Sequence, residues 1–544
     1  MLSAFNCKTL VQKQGFAFPE PLKKWYCPVL PVCLNPGLTA LFLPKVTTMK
    51  TFLRSLLGRS VAFLLMTLFA VSPVWATCGG GGGGGGGGMS GGSRSGGTAA
   101  EAYPVPWKIR KPADPPAKGL VVYWFPASTE EYKKSSLRMS RPLSLYASQC
   151  VSMEVADDRL PNAQTLIGEA KLPVAVIATP DGTAVTRVEN TDGKLKVEVL
   201  EKVLTTEVKT REGAVDGQLK AAKAKADAGE KEEAIKLYQA VVEQRCMFPG
   251  KAKTAAKELK KLGVADVADL DDSPEFPIPV FDVRRNSLIE LTMRRGLIAE
   301  NSARYLAAEK LYQRARLMDP ADPTPLRDLG ELYRHHIGDW EKAKTAFHAI
   351  LNMPADPLSR SVALHGLGKI TIHEGEFKKG LHLMEDSVAE YPTALAYRNL
   401  AVYWNSEGDL KQGNEFTQKA LALDPKDPYN LVFAAVFMAA SGNREDALKV
   451  AQANIKLLPA SYNLAAIYAQ NGQRDKALEF LKRHFYQYER YHEVRSKEMM
   501  EARVDAVFNS LREDSGFLAL TRFADGRLMM PMGSVTPAPA SQNE

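Results

Sequence analysis

Two consecutive stretches between Ser361 and Pro425 repeat one pattern of apolar, small and polar positions. Within each stretch the apolar residues recur at the spacing of an amphipathic helix, and a turn glycine, Gly375 or Gly408, divides the stretch near its middle. A proline, Pro392 or Pro425, closes each stretch at a point where a helix has to end. The pattern therefore predicts two successive pairs of antiparallel helices.

Small residues extend this layout over residues 285–522. The predicted second helices carry them 30 to 37 positions apart, at Ala308, Ala343, Gly380, Gly413, Ala447 and Ala477. The first helices carry them at Gly296, Gly330, Gly368, Ala401, Ala435 and Ala465. Paired small residues let two helix backbones approach closely, and with a period near 34 residues the pattern resembles the tetratricopeptide family. The resemblance implies a mainly α-helical superhelix of helix hairpins that binds other proteins and is not an enzyme.

The resemblance also implies which residues face a partner, because first helices line the concave surface in this family. The predicted groove residues are the polar ones at those positions: Arg327, Arg334, His335, His365, Lys369, His373, Arg398 and Asn405. Further along, the predicted groove becomes apolar, at Tyr429, Val432, Val436, Tyr462 and Ala466. We therefore expect a protein or peptide partner with an acidic or amphipathic segment. A solvated polar face without a ligand is the alternative.

An α/β unit precedes the helices, over residues 104–210. The apolar run Val121–Phe125 predicts a buried strand, and Asp181-Gly182 predicts a tight hairpin between two further strands. The order strand, helix, strand, helix, hairpin, helix resembles the thioredoxin family, with Pro173 at the place of its cis proline.

The two cysteine positions of that family fall at Ser128 and Glu131. Neither residue takes part in disulfide exchange, which needs an attacking thiolate and a resolving thiol. We therefore expect a small thioredoxin-like domain without redox activity, which serves packing or partner recognition.

The beginning of the chain predicts export. After Met49, three basic residues precede the apolar run from Val61 to Val71, and Val74-Trp75-Ala76 offers small residues where a signal peptidase cleaves. We predict a mis-assigned extension over residues 1–48, a signal peptide over 49–76, and a periplasmic, cell-envelope or extracellular location.

Composition and breaks in helical periodicity place the other boundaries. They predict a glycine-rich tether over 77–103, a tetratricopeptide-like hairpin over 213–263, a proline-rich linker over 264–284, the array with a C-terminal cap over 285–522, and a disordered tail over 523–544.

Three cysteines follow the predicted cleavage site: Cys78, Cys150 and Cys246. An odd number leaves at least one thiol unpaired or lipidated, unless it pairs with another molecule. A lipid anchor at Cys78, the sole predicted link to a membrane, is the alternative to plain cleavage, although Trp75 and Thr77 depart from the bacterial lipoprotein pattern. We expect Cys150 to be a lone, buried residue.

The net charge of +8 does not predict a nucleic-acid partner, because residues 1–76 carry +7 of it. We expect no cofactor and no metal either. His484 and His492 lack a third ligand, and Phe377 stands where a zinc-peptidase motif starting at His373 needs its second histidine. The alternative function is an envelope enzyme that uses Cys150 as a thiol or the repeat histidines as metal ligands.

Overall fold

The computed structural model describes residues 102–111, 114, 117–264, 279–406, 409–458, 460–488, 492–524 and 527–528. The predictions for the extension, the signal peptide, Cys78 with its glycine tract, most of the linker and the tail beyond residue 528 lie outside these ranges. None of the helices within them is both long enough and apolar enough to cross a membrane.

The first folded unit is a mixed five-stranded sheet with short helices. Its strands are β1 (Lys108–Ile109), β2 (Val121–Phe125), β3 (Ser152–Val155), β4 (Val174–Ala178) and β5 (Ala184–Glu189), and its helices are α1 (Thr129–Lys134), α2 (Arg141–Ser148) and α3 (Ala163–Ile167). The strand order is β1-β3-β2-β4-β5, with β2 parallel to β3 and antiparallel to β4. β2 and β4 are apolar throughout because they lie in the middle of the sheet and are buried on both faces.

The predicted hairpin and proline occupy the expected places in this sheet. Gly182 adopts a φ of +85° in the turn between the antiparallel strands β4 and β5, a conformation that favours glycine. The Leu172-Pro173 peptide bond before β4 is cis. Ser128 caps α1, where its Oγ accepts a hydrogen bond of 3.1 Å from the backbone N–H of Glu131.

Three longer helices follow: α4 (Val197–Asp227), α5 (Lys231–Glu243) and α6 (Pro249–Lys261). The predicted boundary between residues 210 and 213 is wrong, since it falls inside α4. This helix packs on the sheet with Leu200 and Leu204, and then on α5 and α6 with Val215 and Ala222. One continuous helix therefore belongs to both neighbouring cores.

A disulfide joins Cys150, before β3, to Cys246, after α5. The expectation of a lone Cys150 is therefore wrong, and so is the alternative that uses it as a catalytic thiol. The bond connects residues 96 positions apart in the chain, and nothing in the local sequence signals such a pairing. Gly119 lies close by, where an added Cβ would come within 2.2 Å of the Cys150 carbonyl oxygen.

The array consists of six helix pairs among the described residues, which we call repeats 1 to 6. Their helices are α7 (Val283–Asn301) and α8 (Tyr305–Met318), α9 (Thr324–Leu332) and α10 (Trp340–Leu351), α11 (Pro357–His373) and α12 (Phe377–Glu390), α13 (Ala394–Ser406) and α14 (Leu410–Leu423), α15 (Pro428–Ala440) and α16 (Arg444–Asn454), and α17 (Tyr462–Gln470) and α18 (Arg474–Arg483). π-helical turns extend α9 over Tyr333–Ile337 and α18 over His484–Tyr488.

The small residues predicted at the helix contacts lie within these pairs. An added Cβ on Gly296 would come within 2.4 Å of the Tyr312 ring, and one on Gly330 within 2.3 Å of the Phe347 ring. Gly368 and Gly380 face each other backbone to backbone. At Gly296 and Gly330, the aromatic ring of the second helix therefore fills the space beside the glycine.

Gly380→Ala is expected to lower the free energy of unfolding by about 2 kcal/mol. The added Cβ would lie 2.5 Å from the carbonyl oxygen of Gly368, so the two backbones would have to move apart. The matched control is Gly217→Ala in α4, where an added Cβ meets no atom within 4 Å and helix propensity favours alanine by about 1 kcal/mol. Urea unfolding of both variants measures the difference, and equal losses would contradict the close contact.

The C-terminal part closes the array with α19 (His492–Val504), the 3-10 helix Ala506–Leu511, α20 (Ser515–Leu520) and the strands β6 (Phe523–Ala524) and β7 (Arg527–Leu528). Met499, Phe508 and Phe517 are fully buried in one apolar cluster with repeats 5 and 6. These elements thus cover apolar surface that the last repeat would otherwise expose.

Candidate functional site

The predicted groove residues lie on the first helices of repeats 2, 3 and 4, but most of them are buried. The side chains of Arg327, Arg334, His365, Lys369 and Arg398 are between 2% and 9% exposed. His335 and His373 are half-buried, and the side chain of Asn405 lies outside the described ones. The five buried side chains therefore do not form a solvated face, and their role in binding a partner stays a prediction.

The chain itself supplies partners for the buried cations. Arg334 forms a bidentate ion pair with Glu331, in which Nε donates to Oε1 at 3.1 Å and Nη2 donates to Oε2 at 2.8 Å. Arg398 donates to Oδ1 of Asn430 and stacks over the ring of Tyr429. The charges of Arg334 and Arg398 are thus engaged within the chain.

Burial holds the neighbouring histidines in their neutral form. It lowers the pKa of His335 and of His365 well below the usual value, and the cations Arg334 and Lys369 lower both further. Burial also lowers the pKa of His336 to about 4. Consistently, Nε2 of His365 lies 2.6 Å from the side-chain nitrogen of Asn399, where a neutral ring accepts the amide hydrogen.

The protein is expected to lose stability as the pH falls below about 6.5, the pKa of an unfolded histidine. The unfolded state then takes up a proton that folded His365 does not, so the free energy of unfolding falls until the depressed folded pKa is reached. His365→Gln keeps an acceptor for Asn399 but does not titrate, so its stability should decline less between pH 7 and pH 5.

Urea unfolding across this pH range compares the parent with His365→Gln and with His382→Gln. The His382 side chain is 78% exposed, so His382→Gln is the matched control for replacing a histidine at the surface. Below about pH 6.5, each further unit of acidification should lower the free energy of unfolding of the parent by about 1.4 kcal/mol more than that of His365→Gln. Parallel profiles for the parent and His365→Gln would contradict a neutral buried histidine.

Two parts of the chain border this basic surface, and the first is the C-terminal helix α19. It lies against the π-helical turn Tyr333–Ile337, which carries Arg334 and His335. Arg495 and Glu498 of α19 are themselves buried. Glu498 Oε2 lies 2.9 Å from Nε2 of His484, which fixes α19 to the end of repeat 6.

The second is the α/β unit, which docks on loops between repeats through buried polar contacts. Arg141, at the start of α2, contacts Asp319 and, through Nε at 3.0 Å, Asp322. Tyr103 donates its hydroxyl hydrogen to the same Asp322 carboxylate at 2.7 Å. Tyr391 donates to the backbone oxygen of Trp107 at 2.9 Å, after repeat 3. These contacts tie the sheet to the array.

An apolar pocket lies beyond this region, between the first helices of repeats 4 to 6. Its walls are formed by Val402, Phe433, Val436, Phe437, Ala440, Tyr462 and Ala466, and its polar rim by Asn463 and Asp505, with Val507 beside them. Asp505 accepts a hydrogen bond from the Tyr462 hydroxyl at 3.0 Å and caps the 3-10 helix that follows. The pocket therefore presents apolar side chains next to a carboxylate that is buried and hydrogen-bonded within the chain.

Sequence reasoning identified part of this pocket. It placed Tyr429, Val432, Val436, Tyr462 and Ala466 at the apolar end of the groove, and of these Val436, Tyr462 and Ala466 line the pocket. It missed Phe437, for which the four-residue spacing from Phe433 on α15 was an available signal. Asp505 had no signal, because it reaches the pocket only after the chain has turned back at α19.

The alternative function needs a free thiol at Cys150 or repeat histidines that bind a metal ion. Cys150 and Cys246 are joined to each other. No group of three or more histidine, cysteine, aspartate or glutamate side chains there is arranged to hold a metal ion. The His484 ring faces Glu498, and the side chain of His492 lies outside the described ones.

The hairpins, their close small-residue contacts and the concave pocket define a helical-repeat protein with a tetratricopeptide-like layout. No family model matches the chain. It is 24% identical over 233 residues to the protein CTR9 homolog of Arabidopsis thaliana, a match that covers 34% of this chain and 21% of that protein. The chain thus spans about a fifth of the length of this curated relative.

Solved structures give similarly partial likenesses. A tetratricopeptide repeat protein from Parabacteroides merdae matches 54% of this chain and 99% of its own, with 13% identity and a TM-score of 0.28. The Cut9-Hcn1 hetero-tetramer of the APC/C matches 56% of this chain and 75% of its own, with 13% identity and a TM-score of 0.29. At these scores the function has to be argued from this chain's own surfaces.

Proposed function

We propose that this protein is a non-enzymatic scaffold that binds an apolar segment of a protein partner in the pocket of repeats 4 to 6. The observation that carries the proposal is the pocket itself, where Val402, Phe433 and Phe437 form an apolar wall. Phe437 is half-buried and Ala440 is exposed, so part of this wall is accessible to a ligand.

The burial of the basic residues in repeats 2 to 4 also supports binding in the apolar pocket. In repeats 2 to 4 the polar first-helix residues are buried and engaged within the chain, which leaves them less suited to a partner than the predicted basic groove would be. The pocket offers apolar contact area, with the polar side chain of Asn463 at its rim. Such a mixture suits a peptide that inserts one large apolar side chain.

Site-specific photo-crosslinking in the native cell tests this proposal. A benzophenone amino acid replaces Phe437 in the pocket, and the matched control carries it at Lys411, an exposed position of the second helix of repeat 4. We expect one defined protein adduct from position 437, absent from position 411 and abolished by Val436→Glu. Identical adducts from both positions, or adducts that Val436→Glu does not change, would contradict binding in the pocket.

We further propose that the α/β unit is a redox-silent thioredoxin-like domain and that the chain is exported. The parallel pair β2 and β3 beside the antiparallel strands β4 and β5 supports the first proposal. The signal-peptide pattern of residues 49–76 supports the second. The disulfide is in keeping with it, because such bonds form in oxidising compartments.

Export predicts that Cys150 and Cys246 are oxidised in cells that make the whole chain. They should become alkylatable thiols when residues 49–76 are deleted and the chain stays in the reducing cytosol. Alkylation of acid-quenched cells, followed by mass spectrometry of the two cysteine peptides, measures this. An oxidised pair in both strains would argue against the role assigned to residues 49–76.

A further inference from the structure

The first helix of the array, α7, exposes a face that is buried on the first helices of repeats 2 to 6. Relative to the small residue of each first helix, the position five residues earlier is buried in repeats 2 to 6, at Pro325, Ala363, Ala396, Asn430 and Ala460. Each of these helices packs on the preceding hairpin. In repeat 1 the same position is Leu291, and it is 45% exposed.

A second position follows the same rule. Two residues after the small residue, Leu332, Ile370, Tyr403 and Ile467 are buried, and Phe437 is half-buried in the pocket. The equivalent residue of repeat 1 is Ile298, which is 50% exposed. Leu291 and Ile298 thus lie where the stacking geometry of this array places a preceding helix pair.

The exposed stripe has the spacing of a helix-packing seam. Arg284, Leu288, Leu291, Arg295 and Ile298 of α7 are all exposed and follow one another at steps of four, three, four and three residues. A strict alternation of four and three is the repeat with which one α-helix packs along another. The face is therefore suited to a helix, whereas an apolar stripe this narrow is poorly suited to insertion into a lipid surface.

The charged residues of the seam determine which partner helix it would bind. Arg284 and Arg295 occupy two of its five positions and form no ion pair with any residue in the described part of the chain. Arg294, beside the seam, adds a third exposed cation. A helix that places glutamates opposite the two seam arginines would be attracted and one with lysines repelled.

A second copy of this chain does not meet that requirement. Two α7 helices packed antiparallel about Leu291 would set Arg284 against Ile298 and Arg295 against Leu288. Four arginines would then lie along one seam without a carboxylate, a costly arrangement. We propose that α7 is a second protein-binding surface, separate from the concave pocket, which binds an acidic amphipathic helix of a partner protein.

The test uses the full chain and two synthetic helical peptides. Both carry leucines at heptad spacing, and one has glutamates and the other lysines opposite Arg284 and Arg295. Fluorescence anisotropy should show that the glutamate peptide binds at least about tenfold more tightly, a difference of about 1.4 kcal/mol. Arg284→Glu with Arg295→Glu should reverse this preference, a result that mere loss of folding would not give.

Two further variants test whether the peptide binds to the seam or to exposed apolar residues in general. Leu291→Glu with Ile298→Glu should abolish peptide binding, while Leu457→Glu with Leu518→Glu, which alters leucines that are 47% and 41% exposed elsewhere, should leave it intact. Peptide affinity that is equal for both peptides, or unaffected by Leu291→Glu with Ile298→Glu, overturns the proposal. So does a chain that sediments as a dimer dissociated by that variant, or one that binds anionic phosphatidylglycerol vesicles but neither peptide.

Discussion

Arg141→Ala is expected to lower the free energy of unfolding by about 4 kcal/mol and to release the α/β unit from the array. The guanidinium is fully buried against Asp319 and Asp322, whose side chains are 1% and 0% exposed. Its removal leaves two carboxylates buried without their cation, and the hydroxyl of Tyr103 alone cannot neutralise the charge. Thermal unfolding and limited proteolysis around residues 279–282 measure the two effects.

Two variants make this prediction specific. Arg159→Ala removes an arginine whose side chain is 80% exposed and paired with Asp157, and it should leave both measurements close to the parent. Adding Asp319→Asn and Asp322→Asn to Arg141→Ala removes the uncompensated charges and should recover part of the stability. If Arg141→Ala behaves like Arg159→Ala, the buried contact does not hold the two parts together.

Cys150→Ser with Cys246→Ser is expected to lower the free energy of unfolding by about 4.7 kcal/mol in the chain-entropy model. The bond joins residues 96 positions apart, so its loss frees a long loop in the unfolded chain. Denaturant unfolding of the parent and the double variant, each with and without reductant, measures this loss.

Reductant provides the internal control for the disulfide. It should destabilise the parent to the level of the double variant and leave the variant itself unchanged. Equal stability of the oxidised parent and the double variant would mean that the α/β unit and α5 are held together without the bond.

The sequence predicted the features that depend on local spacing. Gly368 and Gly380 belong to neighbouring helices of one hairpin, so the period alone placed them in contact. The hairpin at Gly182 and the cis bond before Pro173 are local in the same sense. The apolar end of the concave surface, with Val436 and Tyr462, followed from the positions of the first helices.

Contacts between distant parts of the chain could not be predicted in this way. Arg141 meets its aspartates 178 and 181 residues further along, and no periodicity relates the three. Arg334 was expected to face solvent because a single repeat gives no information about α19, which lies beside its turn. The exposed seam of α7 was also missed, since only comparison of burial between repeats distinguishes Leu291 from Ala363.

The chain itself buries the basic residues of repeats 2 to 4 and leaves Phe437 of the apolar pocket partly exposed, and this contrast can be measured. Hydroxyl-radical footprinting of the free full chain tests it most directly, with His382 as the exposed reference. We predict fast oxidation of His382, measurable oxidation of Phe437 and protection of His365, which is 4% exposed. Oxidation of His365 as fast as that of His382, with Phe437 protected, would contradict this contrast.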